Sequence, residues 1–311
     1  MKVICENLDR MVTTEIRSQY LPRGVVASLY DAVRQDHNEP ITYQIASALK
    51  EKLDGKEECK IGIFTGVWHP EYFPNGENDG PIGCVALGKA LHLGGAEVIY
   101  CVEKEVAPIM EELCKHLQIP ANIFSLSRTD VAHNEKLAEI LDCGIFIEKL
   151  GSAQDGNHHF ATGGTRPGQD APLESMLTKM RDNNKLTIGV GDNGNEIGFG
   201  KIHDETKKVV PFNEKVTVMA TDYLLPSSVS NIGAYGITAA LALVMENLEM
   251  LHNPDDEVEL IKICAALDCR DGGFGKAHNF VDGISDKSVA SVVEIIKEIV
   301  SLYYTQEKRG F

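Results

Sequence analysis

No two of the eight cysteines form a Cys-x-x-Cys pair, and the nearest two, Cys264 and Cys269, are spaced wrongly for a zinc knuckle. Cys101, Cys143 and Cys264 lie inside apolar runs, where a free thiol behaves as a small hydrophobe, so buried reduced cysteines in a reducing compartment are expected. Long hydrophobic runs are missing too. The longest, Ile237–Met245, is far too short to span a bilayer, and Glu6, Asp9 and Arg10 interrupt the N-terminus where an export signal would need an apolar core. A soluble, cytoplasmic protein is expected. Positive charge is scarce: 30 Lys and Arg stand against 46 Asp and Glu, a formal charge of −16. That balance argues against nucleic acid and anionic membranes as partners, and it means that any anionic substrate needs a locally donor-rich pocket. Neither a Walker loop nor a Gly-x-Ser-x-Gly elbow is present, and no Gly-x-Gly-x-x-Gly follows the first strand candidate, which disfavours nucleotide triphosphates, serine hydrolysis and nicotinamide cofactors.

What is present is alternation. The first 55 residues read as a helical cap, with Leu21-Pro22-Arg23-Gly24 separating two amphipathic runs and Asn38-Glu39-Pro40 opening a third. Strand candidates then fall at Lys60–Thr65, Glu97–Val102, Asn122–Ser125, Gly144–Glu148, Leu186–Val190 and Lys215–Thr221, with a short one near Asn279–Val281. Helical runs lie between most of them (Pro81–Leu93, Glu105–His116, Asn134–Leu141, Leu173–Asp182), and Ile232–Leu251, Asp255–Leu267 and Lys287–Tyr303 follow. Short apolar strands alternating with helices predict an α/β fold: a mainly parallel, doubly wound sheet with helices on both faces and an N-terminal helical cap. With no repeat and no Pro-, Gly- or Ser-rich linker, residues 1–311 are expected to form one domain.

Open α/β sheets bind ligands outside the carboxyl ends of their strands, and the unusual polar residues gather there four times. After the first strand come Asp79, Gly80, Pro81 and Gly83, where Asp79 suits a helix N-cap and the amides of Gly80–Cys84 suit an anion. After the fourth come Asp155, Asn157, His158 and His159, with Arg166 as a candidate carboxylate clamp. The fifth strand runs into the glycine-dense GVGDNGNEIGFG of Gly189–Gly200; a helical turn after Asn193 would set Asp192 and Glu196 on one face, suited to acid–base work or a divalent cation. Ser230 and Asn231 precede the next helix and could cap it or bind an oxyanion.

In order along the chain, Asp79-Gly80-Pro81-x-Gly83, Ile147-Glu148-x-x-Gly151 with Asp155-Gly156-Asn157, Gly189-Val190-Gly191-Asp192-x-Gly194-Asn195-Glu196-x-Gly198-x-Gly200, Val229-Ser230-Asn231-x-Gly233-x-Tyr235 and Val281-Asp282-Gly283 resemble the motifs of the D-glutamate cyclase family, in the domain that forms the C-terminal part of its longer eukaryotic members. The chain departs from the pattern at Asn193, where many members have glycine, at Ser152, where they have arginine, at His158-His159 and at Ser285-Asp286-Lys287.

The resemblance implies interconversion of D-glutamate with 5-oxo-D-proline and water. It implies catalytic roles for Asp192, Glu196 and Asn195, and substrate contacts from Asp79, Gly80, Gly83, Asp155, Asn157, Ser230 and Asn231. Asp192 and Glu196 are the candidate ligands of a divalent cation, Mg or Mn. Two other readings stand beside it: a lyase, lactamase or metal-dependent hydrolase for a different small amino acid or lactam, and a non-catalytic binder of a small acid. Both predict the same crevice, and a homo-oligomer is compatible with each.

Overall fold

The computed structural model describes residues 1–17, 24–35, 37–56 and 58–305. The separator expected at Leu21-Pro22-Arg23 lies outside them. Helices α1 (Lys2–Val12), α2 (Val26–Arg34) and α3 (Ile41–Asp54) come first, as the amphipathic spacing predicts. There follow β1 (Cys59–Phe64), α4 (Pro81–Leu93), β2 (Ala96–Glu103), α5 (Ala107–His116), β3 (Ile123–Leu126), α6 (Val131–Ile140) and β4 (Cys143–Ile147). The second half holds α7 (Glu174–Asp182), β5 (Leu186–Gly191), α8 (His203–Val209), β6 (Tyr223–Pro226), α9 (Ser230–Met245), α10 (Pro254–Ala266), the β7–β8 hairpin (Phe280–Val281, Ile284–Ser285) and α11 (Asp286–Tyr304).

Strands β1 to β6 form one parallel sheet in the order β3-β2-β1-β4-β5-β6, so the winding reverses between β1 and β4. Strand parity assigns the two cores. Ile61, Ile63, Ile145 and Ile147 point into the larger one, with α3, α4 and α9. Phe64 and Phe146 point to the opposite face, stack at 4.6 Å and meet Leu137 of α6 and Met176 and Met180 of α7. Helices cover both faces because no strand has a polar side to offer water. All eight cysteines are free and buried. Among the described residues no helix is long and apolar enough to cross a membrane.

One strand is misplaced by the sequence reading. Lys215–Thr221 does not join the sheet. Its first residue closes a 3-10 turn at Asn213–Lys215, and the rest pairs with the loops that follow β4 and β5: Thr217 bridges Ala153, Val218 N–H donates to Ser152 O, and Gly198 N–H donates to Met219 O. The sixth strand is Tyr223–Pro226 instead. Its terminal proline is tolerated because β6 is an edge.

Candidate active site

Five connections meet above the carboxyl ends of β1, β4, β5 and β6. Two of them are locked together by a reciprocal cap. The Asp79 carboxylate accepts from Ser230 N (3.0 Å) and Asn231 N (2.8 Å), the free amides that open α9. The Asn231 Oδ1 accepts in return from Gly80 N and Gly83 N (2.8 Å each), the amides that open α4. Expecting Asp79 to cap its own helix therefore names the wrong helix: it caps α9, while Gly80, at φ +99°, is the N-cap of α4 and the Gly80 and Gly83 amides are already engaged. Gly83 permits the approach, since a Cβ there would stand 2.8 Å from Asn231 Oδ1.

The glycine-dense loop after β5 is not helical, so Asp192 and Glu196 do not share a helix face. The chain instead wraps around Glu196. Its carboxylate accepts from the backbone N–H groups of Asp192 (3.2 Å), Asn193 (2.9 Å) and Gly194 (2.7 Å), a nest of amides around an internal anion. Gly194, at φ +103°, makes that turn available. Asp192 stands beside it, fully buried. Its Oδ2 accepts from the Arg17 guanidinium (3.1 Å) and its Oδ1 from the Asn193 side-chain amide.

Three more acids complete the cluster. Glu148, in the left-handed region at φ +48°, accepts at 2.5 Å from the Ser230 hydroxyl. Asp282 sits with Gly283 in the two-residue turn of the β7–β8 hairpin, both at positive φ, the conformation for which Asp-Gly is favoured. Glu77 faces it across Gly272, where a Cβ would lie 1.8 Å from Glu77 Oε1 and 2.7 Å from Asp282 Oδ1. Behind the cluster, Lys149 donates to both Glu103 oxygens at 2.7 Å and ties the ends of β2 and β4 together in the interior.

Between these parts lies a cavity of about 200 Å³. Its polar wall carries Glu77, Glu148, Asn193, Asn195 and Asp282, and its apolar wall carries Val67, Phe73, Leu150 and Phe160. Arg166 does not enter it. The guanidinium is paired with Asp170 (2.9 and 3.0 Å) and stacks 4.4 Å from the Phe160 ring, so its clamp closes on the chain's own carboxylate. Asp155 and Asn157 are also outside: Asp155 binds His159 and Lys215, and these partners hold its carboxyl well below the usual range.

Burial raises the pKa of Glu77, Asp79, Glu148, Asp192 and Asp282. Neighbouring carboxylates add to the rise, Asp282 for Glu77 and Asp79, and Glu196 for Glu148; Arg17 opposes it at Asp192 and Asp282. So many buried acids around one guanidinium call for protons or for a cation.

Two groups of three, Asp79–Asp192–Asp282 and Glu148–Asp192–Glu196, each bring one oxygen per residue within 4.8 Å of the others. An all-oxygen set fits a hard divalent ion such as Mg or Mn. Lone pairs decide which oxygens could serve. Glu196 spends three on backbone amides and Asp79 accepts from three, whereas Asp282 accepts from no backbone amide and Glu148 from one hydroxyl. By that measure Asp282 is the freer ligand beside Asp192 in the first group and Glu148 in the second, and Asn195 Oδ1, buried in the same wall, has no hydrogen-bond partner.

Sequence reasoning missed Glu77, Glu148, Asp282 and Arg17 as site residues. Glu148 and Asp282 stand inside the quoted motifs, and the Asp-Gly turn signal was available for Asp282; no local pattern marks Glu77 or Arg17.

The fold and site define a doubly wound α/β protein with an acid-walled, small-molecule-sized cavity at the point where its sheet reverses direction. The chain belongs to the D-glutamate cyclase-like family: the model described as D-glutamate cyclase-like, C-terminal, matches residues 30–299. It is similar to a human protein named D-glutamate cyclase, mitochondrial, at 26% identity over 213 residues, 63% of this chain. The matched part is 35% of that human protein, so the chain spans about a third of the length of this curated relative.

Proposed function

We propose that the protein interconverts D-glutamate and 5-oxo-D-proline plus water in the cavity bounded by Glu77, Glu148 and Asp282. The observation that carries this reading is the pairing of walls: buried acids and amides face an apolar side across a space sized for one small amino acid. Family membership and the name of the human relative support the substrate.

Ring closure needs an amine that has lost its proton and a γ-carboxyl carbon made electrophilic. An ionised carboxylate of the polar wall takes a proton from the α-ammonium, and the freed nitrogen attacks the γ-carbon. A neutral carboxylic acid of the same wall protonates one γ-oxygen, and the second proton shed by the attacking nitrogen, passed on by a wall carboxylate, completes the water that leaves as the lactam carbonyl re-forms. Burial and neighbouring carboxylates raise the pKa values of Glu77, Glu148 and Asp282, which favours the neutral form that the acid role requires. A divalent cation held by Asp192 with Asp79 and Asp282, or with Glu148 and Glu196, would supply Lewis-acid polarisation of the substrate carboxylate. Asn193 and Asn195 orient substrate oxygens, and Phe73 and Phe160 keep water from competing. Glu196 acts through the loop it shapes.

Incubation with D-glutamate, and separately with 5-oxo-D-proline, followed by chiral chromatography tests the proposal. Failure to interconvert them in either direction with Mg or Mn present would refute it. One observation favours a second reading: among the described residues lining the cavity there is no Lys or Arg to meet a second carboxylate. A less anionic amino acid or lactam on the same scaffold would fit that wall, and a panel of such compounds in the same assay separates the two.

A further inference from the structure

Arg17 lies outside the segment that matches the family model, yet it reaches the centre of the acid cluster. Its side chain has no solvent exposure. One Nη donates to Asp192 Oδ2 (3.1 Å) and Asn193 Oδ1 (3.2 Å), and the other to the main-chain oxygen of Asp192 (3.4 Å). Nε reaches Glu15 at 3.4 Å, which fixes the fork from behind. Asn193 completes the arrangement by donating its amide to Asp192 Oδ1. Both oxygens of Asp192 are therefore held from two sides, and Asp192 is the one residue common to the two groups of three carboxylates.

We infer that Arg17 is a positioning residue: with Asn193 it sets the orientation of Asp192 and thereby the geometry in which the site holds a divalent cation. A planar fork can span a carboxylate oxygen, an amide oxygen and a main-chain oxygen at once. A lysine ammonium carries the same charge on a flexible stem and cannot fix all three. Charge neutralisation alone would make the two residues equivalent, so the Arg-to-Lys exchange separates orientation from charge. The inference rests on the proposed cation, and on the cyclase reading only for its turnover readout.

The test is Mn binding to metal-free protein by calorimetry, for wild type, Arg17→Lys and Asn193→Ala, with thermal melting to confirm folding. Partners that orient a ligand typically contribute 10–100-fold to metal affinity, so Arg17→Lys is expected to weaken Mn binding by about tenfold or more, with Asn193→Ala shifting it the same way. Turnover of D-glutamate should fall in kcat more than KM changes. Mn affinity within twofold of wild type in folded Arg17→Lys overturns the inference, as does a wild-type protein that binds no Mn. Should Arg17→Lys fail to fold, Asn193→Ala decides by the same criterion. A wild type that binds Mn but leaves D-glutamate unchanged refutes the cyclase reading, while the binding comparison still decides the role of Arg17.

Discussion

Asp79 and Asn231, 152 positions apart, each cap the helix that the other begins. Asp79 is followed by α4 but closes the N-terminus of α9; Asn231 lies in α9 but closes the N-terminus of α4. Each side chain satisfies donors that have no partner within their own helix.

Replacing Asn231 with Ala removes the acceptor of Gly83 N and one of the two acceptors of Gly80 N, which keeps Asp79 Oδ1. Loss of a cap with one donor left unsatisfied costs about 1–2 kcal/mol. Urea unfolding should show a lower midpoint with little change in slope. A midpoint equal to wild type would mean that water replaces the amide at no cost.

Glu196 and Asp282 should separate cleanly on substitution. Glu196→Gln turns one acceptor oxygen into a donor that faces backbone N–H groups, and is expected to destabilise by about 1–3 kcal/mol. Asp282→Asn is expected to weaken Mn binding at least tenfold with a smaller effect on stability. Calorimetry and urea unfolding on the same two variants check both halves.

Gly272 tests the Glu77–Asp282 pair without touching either acid. In Gly272→Ala the new methyl displaces the Glu77 carboxylate, the end of a flexible side chain. Stability should change by less than about 1 kcal/mol, because the displaced atoms can rotate away. Turnover of D-glutamate should fall by about tenfold or more, since misplacing a reacting group is costly in rate. Unchanged turnover would remove Glu77 from the reaction.

The pH dependence has a definite sign. Glu77, Asp79, Glu148, Asp192 and Asp282 have folded-state pKa values above the unfolded ones, so the folded state binds more protons than the unfolded chain between the two. Their contribution is complete below about pH 4 and is lost as pH rises through the raised values. Asp142 and Asp155 are shifted the other way, and their contribution changes only below the ordinary carboxylate range. In metal-free buffer the melting temperature should therefore fall as pH rises from 5 to 9, with a shallower slope in Asp282→Asn. An identical slope in that variant would show that Asp282 does not titrate in this window.

Five of the six sheet strands could be read from sequence because each is a short, largely apolar run set between helical patterns, as expected of a parallel sheet covered by helices. Tyr223–Pro226 escaped notice because it is four residues long and ends in proline, while the extended segment before it has the better strand composition. The strand-end position of the polar loops was also legible, since it follows from α/β topology. Their internal hydrogen bonding was not. Nothing local distinguishes an acid that folds a loop around itself, as Glu196 does, from one that lines the cavity, as Asp282 does. Arg17 is a single basic residue beyond the recognisable motifs, and its role depends on a contact 175 positions away.

The crossed caps also constrain the order of assembly. The amides that open α4 find their acceptor only after α9 has been made, near the far end of the sheet. Contacts of such separation form late, because the loop entropy must be overcome first. A growing chain that has completed β1 to β5 would hold its strands with the strand-end loops still open, and acid repulsion unrelieved at their tips. Commitment of the site is thereby coupled to synthesis of α9, and fragments ending before Ser230 should be early substrates for proteolysis at residues 65–80.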